Sequence, residues 1–325
     1  MPRRPHIDWR LATRVAGPFS GPLPDAPRSQ AQTVAPALRL AAARAAGLAV
    51  EFSGLPAGRG ADEVLVVDRA GWARGAADMA ATAINGLPLT ERADGLRRRL
   101  GGFGYGLASG IALGVVSRHL LGQFDAFGGH RRLYLLGPNI VAAEQRHGFT
   151  PDDFRLWVAL HEQTHAVQFS AAPWLADHLL ARFVAVATDD HSALDAVRTV
   201  PQRGLGSLVA SRRGHDLLDE VTAVMSLLEG HADYVSDAAG AVHIPSVATL
   251  RRAFDRSGSP SRWARLLPVA DKQGQYRNGL RFCTTVAASV GAAGLARAFE
   301  GPGTLPTLHE IGNPRAWLGR VHGTA

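Results

Sequence analysis

Residues 161–165 read His-Glu-Gln-Thr-His, two imidazoles four positions apart with a carboxylate beside the first. On an α-helix, residues four apart differ by about 40° around the axis, so both imidazoles can reach one ion. Glu162 is turned about 100° from His161, so it can approach a water at such an ion without being a ligand. This is the pattern by which a helix offers two ligands to zinc and a general base for hydrolysis. Catalytic zinc takes three protein ligands and keeps a fourth position open, so one ligand must come from elsewhere. The glycine and histidine that metzincins place at 168 and 171 are Gln168 and Ala171 here, which excludes that class.

The third ligand is expected on a downstream helix. Leu228-Glu229-Gly230-His231-Ala232-Asp233-Tyr234 lies in a stretch that is apolar at Leu217, Leu218, Val221, Val224, Met225 and Leu228. Glu229 and Asp233 are four apart and share a face, whereas His231 lies about 200° round from Glu229. Glu229 is the preferred third ligand, with His231, His215 and His243 as alternatives. Asp233 is then placed to accept a hydrogen bond from a ligand imidazole and fix its tautomer. Candidates for the donor that would hold a developing oxyanion are Tyr234, Tyr276, Arg277 and His243, among which the sequence does not choose.

These side chains need helices to carry them, and the chain predicts a mainly α fold with a few short strands. Thr150-Pro151-Asp152-Asp153 offers an N-cap, a proline at the first helical position and acids in the first turn. Phe154, Trp157, Val158 and Val167 give the helix an apolar stripe, and it should end before Pro173. Further helices are expected at 29–50, 71–84, 174–187, 216–238, 246–256 and 276–299. Ile7 to Leu11 is a short amphipathic piece, followed by a Pro/Gly linker from Gly17 to Pro27. Separators are expected at 201–206, 258–261 and 301–306. Strands are expected at 64–67 and 133–136, the second closed by a turn at Gly137-Pro138-Asn139. That second strand is a candidate to pair with an extended peptide, or an ordinary structural strand. Gly102, Gly106, Gly110 and Gly114 share one helix face in an uncharged stretch. A tightly packed buried helix is preferred there to a membrane dimerisation face. The chain divides by pattern into a helical region, 1–130, and a catalytic region, 131–325, which could equally be one fused unit.

Composition narrows the class. With 325 residues, 46% hydrophobic and 19% charged, the chain can bury a sizeable core. A single cysteine, Cys283, excludes a disulfide framework and any cysteine-based zinc knuckle. The net charge of +7 arises in residues 1–150, with 18 arginines against 11 acidic residues. Basic residues overall are 34 Arg and one Lys, a bias that fits coding composition better than a nucleic-acid surface. No basic stretch precedes an apolar h-region near the start, so a cytoplasmic protein with no membrane partner is the expectation.

Several segments together resemble the zincin-like metallopeptidase type 2 family, an actinobacterial-type group labelled as hydrolases associated with deazaflavin-coenzyme biosynthesis. They are Ile7-Asp8-Trp9, Val67-Asp68-Arg69-Ala70-Gly71-Trp72, Leu121-Gly122-Gln123-Phe124-Asp125 and Leu135-Leu136-Gly137-Pro138-Asn139-Ile140. Phe154 through Glu162 and Glu229 through Tyr234 follow, then Gln275-Tyr276 with Gly279 and Phe282, and Leu305-Pro306-Thr307 to Trp317-Leu318. Phe124 departs from the tyrosine expected there. The resemblance implies a zincin-like core with His161, His165 and Glu229 at the metal, and it supplies no substrate. The expected function is a zinc-dependent hydrolase, a peptidase acting on a peptide or protein, with Glu162 as general base. The alternatives are a non-catalytic zincin scaffold serving binding or assembly, and a nucleic-acid-associated protein with structural zinc.

Overall fold

The computed structural model describes residues 6–22, 28–87, 96–187, 212–256 and 273–323. The expected separators at 201–206 and 258–261 lie outside the described residues. Among the described residues the fold is mainly helical with a three-stranded sheet, and the chain divides into two compact units. One comprises residues 1–39 and 62–148, the other residues 40–61 and 149–325.

In the first unit, helix α1 (Trp9–Phe19) starts at Asp8, whose side chain accepts from Leu11 N. It runs through Gly17 and Pro18, where the sequence suggests the start of a linker. The reason is its partner, α4 (Leu96–Ser117). A Cβ on Gly106, Gly110 or Gly114 would lie 2.6 Å from the carbonyl oxygens of Asp8, Ala12 and Ala16 in turn. The glycine face is therefore the seat of α1, and the two backbones approach as only glycine permits. Helix α2 (Arg28–Ser53) gives residues to both units, and α3 (Arg69–Asn85) is capped by Asp68, which accepts from Gly71 N.

Strands β1 (Glu63–Val67), β2 (Gly122–Phe124) and β3 (Arg132–Leu136) form the sheet in the order β1-β3-β2. β3 is central, parallel to β1 and antiparallel to β2. Both its edges are paired, so the expectation that 133–136 could receive an extended peptide does not hold. Phe124, on β2, is buried, with the Arg131 guanidinium 5.7 Å from its ring centroid. The expected turn at Gly137-Pro138-Asn139 is instead the start of α5 (Gly137–His147). Proline needs no amide partner in a first helical turn, so the same residues serve a helix as well as a turn. Asn139 is buried there, donating to the carbonyls of Ser117 and Leu120 and accepting from Arg69 Nε.

The second unit holds α6 (Pro151–Ala171), α7 (Trp174–Ala187), α8 (Arg212–His243), α9 (Val247–Arg256), α10 (Gln273–Ala296), α11 (Leu308–Gly312) and α12 (Pro314–His322). α8 packs against α6, α7, α9, α10 and α11. At its crossing with α10, Gly230 and Gly279 meet backbone to backbone, leaving no room for a side chain on either. Among the described residues, two stretches, Gln32–Ser53 and Asn278–Phe299, have the length and mean hydropathy of a membrane span. The first buries Val34, Leu38, Ala42, Ala45 and Ala49 at one-face spacing and carries Arg39, Arg44 and Glu51, the pattern of an amphipathic helix with one face on a protein core.

Candidate metal centre

α6 begins as its sequence predicts, with Pro151 in the first turn and Asp152 and Asp153 near the positive end of the helix dipole. Thr150 is the N-cap by backbone position, but its side chain makes no capping bond. Asp153 instead accepts from Ser246 N at 2.9 Å. Every residue from Leu156 to Gln168 is buried, so the helix is enclosed all round where a one-sided apolar stripe was expected. Enclosure obliges each polar side chain to find a partner. Gln163 donates to the Ala42 carbonyl at 3.1 Å and accepts from Ala61 N at 2.8 Å. Thr164 donates to Leu160 O at 2.7 Å. The two variable positions of the motif thus anchor the helix, one to residues of the 40–61 segment and one to its own preceding turn.

His161, His165 and Glu229 come together across α6 and α8. One ligand atom from each can be chosen so that all lie within 4.8 Å of one another. His161 Nε2 is 3.5 Å from Glu229 Oε2, and His165 Nε2 is 3.3 Å from Glu229 Oε1. All three are buried, Glu229 to 2% exposure. Burial works against the Glu229 charge, but the two imidazoles outweigh it and hold the carboxyl down at about 2. His165 Nε2 and Glu229 Oε1 are nonetheless engaged in no aligned hydrogen bond. Buried donors and acceptors are seldom left so, and an ion between them would satisfy both.

Each imidazole turns its other nitrogen outward. His161 Nδ1 faces Asp233 Oδ1 at 3.3 Å. Arg251, on α9, lies 3.3 Å from the same Asp233 oxygen and 2.9 Å from Asp237 Oδ1, with its guanidinium 5.4 Å from the Trp157 ring centroid. Burial pushes the Asp233 carboxyl up, and His161 and Arg251 together hold it well below the usual carboxylate range. Burial likewise opposes the Arg251 charge, and the two aspartates override it. His165 Nδ1 instead meets Gln168 Oε1 at 2.9 Å.

Among the alternatives considered from sequence, His231 stands outside the cluster. It is fully buried, bonded at Nδ1 to Gln168 Nε2 (3.0 Å) and at Nε2 to the Ser53 carbonyl (2.9 Å). Burial pulls its pKa down to about 4 against the opposing Ser53 bond, so the ring is neutral. His243 packs edge-on to Phe52, with ring centroids 6.0 Å apart, and His215 is exposed near the start of α8. Tyr234 is half-buried with its ring 6.4 Å from that of His231. The side chains of Tyr276 and Arg277 lie outside the described residues. Gln168, Arg251 and Ser53 were not anticipated as neighbours of the cluster. Only Gln168 carried a local signal, since it is three residues after His165 and shares its face.

Comparison with known proteins adds to this geometry. The profile of the zincin-like metallopeptidase family matches residues 7–318. The chain belongs to that family. The extent of the match takes in both units, so the sheet and the glycine-faced helix are part of the zincin-like metallopeptidase chain as much as the histidine helix is. No curated protein matches. A crystal structure from Chloroflexus aurantiacus, described as a "putative hydrolase with a novel fold", superposes with a TM-score of 0.69 at 24% identity. The alignment covers 98% of this chain and 100% of that one, so the two share a fold over their whole lengths.

Proposed function

We propose that this protein is a zinc-dependent hydrolase, a peptidase acting on a peptide or protein substrate. The observation that carries the reading is the convergence of His161, His165 and Glu229, buried and with ligand atoms within 4.8 Å of one another. Two imidazoles and one carboxylate are a donor set of catalytic zinc, which leaves a fourth position for water or substrate. The orphaned His165 Nε2 and Glu229 Oε1 fit that assignment. Family membership supports it, as does the hydrolase description of the Chloroflexus aurantiacus protein.

When bound, the ion would supply Lewis-acid polarisation of the scissile carbonyl and lower the pKa of a water. The remaining work falls to the chain's own groups. Glu162, next to His161 on the buried helix, would accept the proton of the attacking water and deliver it to the leaving amide nitrogen. Asp233, held between His161 and Arg251, would keep a proton on His161 Nδ1, so that Nε2 is the atom that binds the ion. Tyr234 and Tyr276 stand as candidates for the oxyanion donor.

The test is metal content and turnover on three proteins purified without added metal. Wild type is expected to carry about one zinc per chain, and Glu229→Ala to lose most of it. Glu162→Gln is expected to keep zinc while turnover of a peptide library falls by about 10²- to 10⁴-fold. Wild type that takes up no zinc would sink the hydrolase reading. Zinc without turnover in wild type would leave a binding scaffold.

A further inference from the structure

The amide of Gln168 makes contacts that leave it a single orientation. One of its two terminal atoms lies 2.9 Å from the Leu228 carbonyl oxygen. Two carbonyl oxygens do not face each other at that distance, so the atom is the nitrogen. The second N–H of that nitrogen points at His231 Nδ1, 3.0 Å away, which makes this ring nitrogen an acceptor. The proton of neutral His231 is then on Nε2, from which it is donated to the Ser53 carbonyl at 2.9 Å. The remaining Gln168 atom, Oε1, faces His165 Nδ1 at 2.9 Å. An amide oxygen can only accept. His165 therefore carries a proton on Nδ1, which leaves Nε2, 3.3 Å from Glu229 Oε1, as the nitrogen able to take a cation.

We infer that Gln168 is a positioning residue for the metal centre. Locked by Leu228, His231 and Ser53, it keeps a proton on His165 Nδ1 and so makes Nε2 the atom that binds a cation. The inference rests on the reading of His161, His165 and Glu229 as metal ligands. It assigns His231 a role other than ligand, as the acceptor that fixes the second amide proton. Gln168, His231 and Ser53 are each 0% exposed, so bulk water does not compete for any link of the chain. The spans are long. Gln168 and His231 are 63 residues apart, and His231 and Ser53 are 178 apart. The tautomer of one imidazole thus depends on α2, α6 and α8 being packed together.

Two measurements on the full chain test this. In metal-free wild type near pH 8, two-bond proton–nitrogen NMR correlations of the imidazoles are expected to show His165 protonated at Nδ1, whether or not Nε2 also carries a proton. The same spectrum should show His231 as the Nε2–H tautomer. Gln168→Leu, checked for fold by circular dichroism, is expected to bind zinc about ten- to a hundredfold more weakly in competition with a chromophoric chelator. Its His165 should also redistribute between tautomers, which loss of packing alone would not cause. A wild-type His165 whose Nδ1 carries no proton overturns the inference, as does a folded Gln168→Leu protein with unchanged zinc affinity. If that variant does not fold, the wild-type tautomers decide. Wild type that binds no zinc at all refutes the metal-site reading itself, and the tautomers of the metal-free protein still decide the role of Gln168.

Discussion

His161 and His165 differ in what stands behind them. A carboxylate faces Nδ1 of the first at 3.3 Å and an amide oxygen faces Nδ1 of the second at 2.9 Å. A carboxylate raises the basicity of the imidazole it faces, as well as fixing its tautomer. Removing it should cost metal affinity more through His161 than through packing. Asp233→Ala is expected to weaken zinc binding about ten- to a hundredfold in chelator competition. Arg251 keeps a partner in Asp237 at 2.9 Å in that variant, so the fold should survive. Unchanged affinity would mean that His161 does not depend on Asp233.

At the scale of the elements, α4 makes opposite predictions for two of its glycines. Gly104 is exposed, and a Cβ there would meet nothing within 4 Å. Gly106, two residues on, faces α1, and a Cβ there would lie 2.6 Å from the Asp8 carbonyl oxygen. Gly104→Ala should therefore stabilise by about 0.5–1 kcal/mol through helix propensity alone. Gly106→Ala should destabilise by roughly 1–3 kcal/mol, because α1 must move away. Urea unfolding of the two variants measures both signs. The α8–α10 crossing makes a companion prediction. Gly230→Ala should also destabilise by roughly 1–3 kcal/mol and, because Gly230 follows Glu229, should weaken zinc binding as well. The glycine spacing of α4 was legible as a packing face because the period is local. Its partner was not, because nothing in residues 7–19 names the helix they pack against.

Across the whole molecule, the second unit gathers residues 40–61 and 149–325, and all the cluster residues lie within it. The same unit is tied near its end by Glu310, whose carboxylate accepts from Arg320 Nε at 2.7 Å and Nη2 at 2.9 Å. Burial works against the Glu310 charge, and Arg320 with the Thr307 amide holds its carboxyl below the ordinary value of 4.5. The unfolded chain then binds the proton more readily than the folded one. Stability from this group is present above pH 4.5 and is lost as the pH falls through the depressed folded value. Glu310→Gln should accordingly lower the melting temperature at neutral pH, and its gap from wild type should narrow as the pH drops. A gap independent of pH would mean that the charge of Glu310 contributes nothing.

The chemistry on offer follows from local spacing. His161, Glu162 and His165 are related by helical geometry over five residues, and Glu229 and Asp233 by one further turn. Such relations need no knowledge of the rest of the chain. The family was legible for the same reason, since its segments are short and each is read in place. Which helix faces which is a matter of long-range packing. It put Glu229, and not His231, against the two imidazoles, and it set Arg251 behind Asp233. It made β3 a central strand and turned Gln168 from a residue that merely breaks the metzincin pattern into the partner of His165. Those outcomes depend on pairings between residues up to 178 positions apart, and such pairings arise when buried faces and polar partners are satisfied together, which no local window of sequence records.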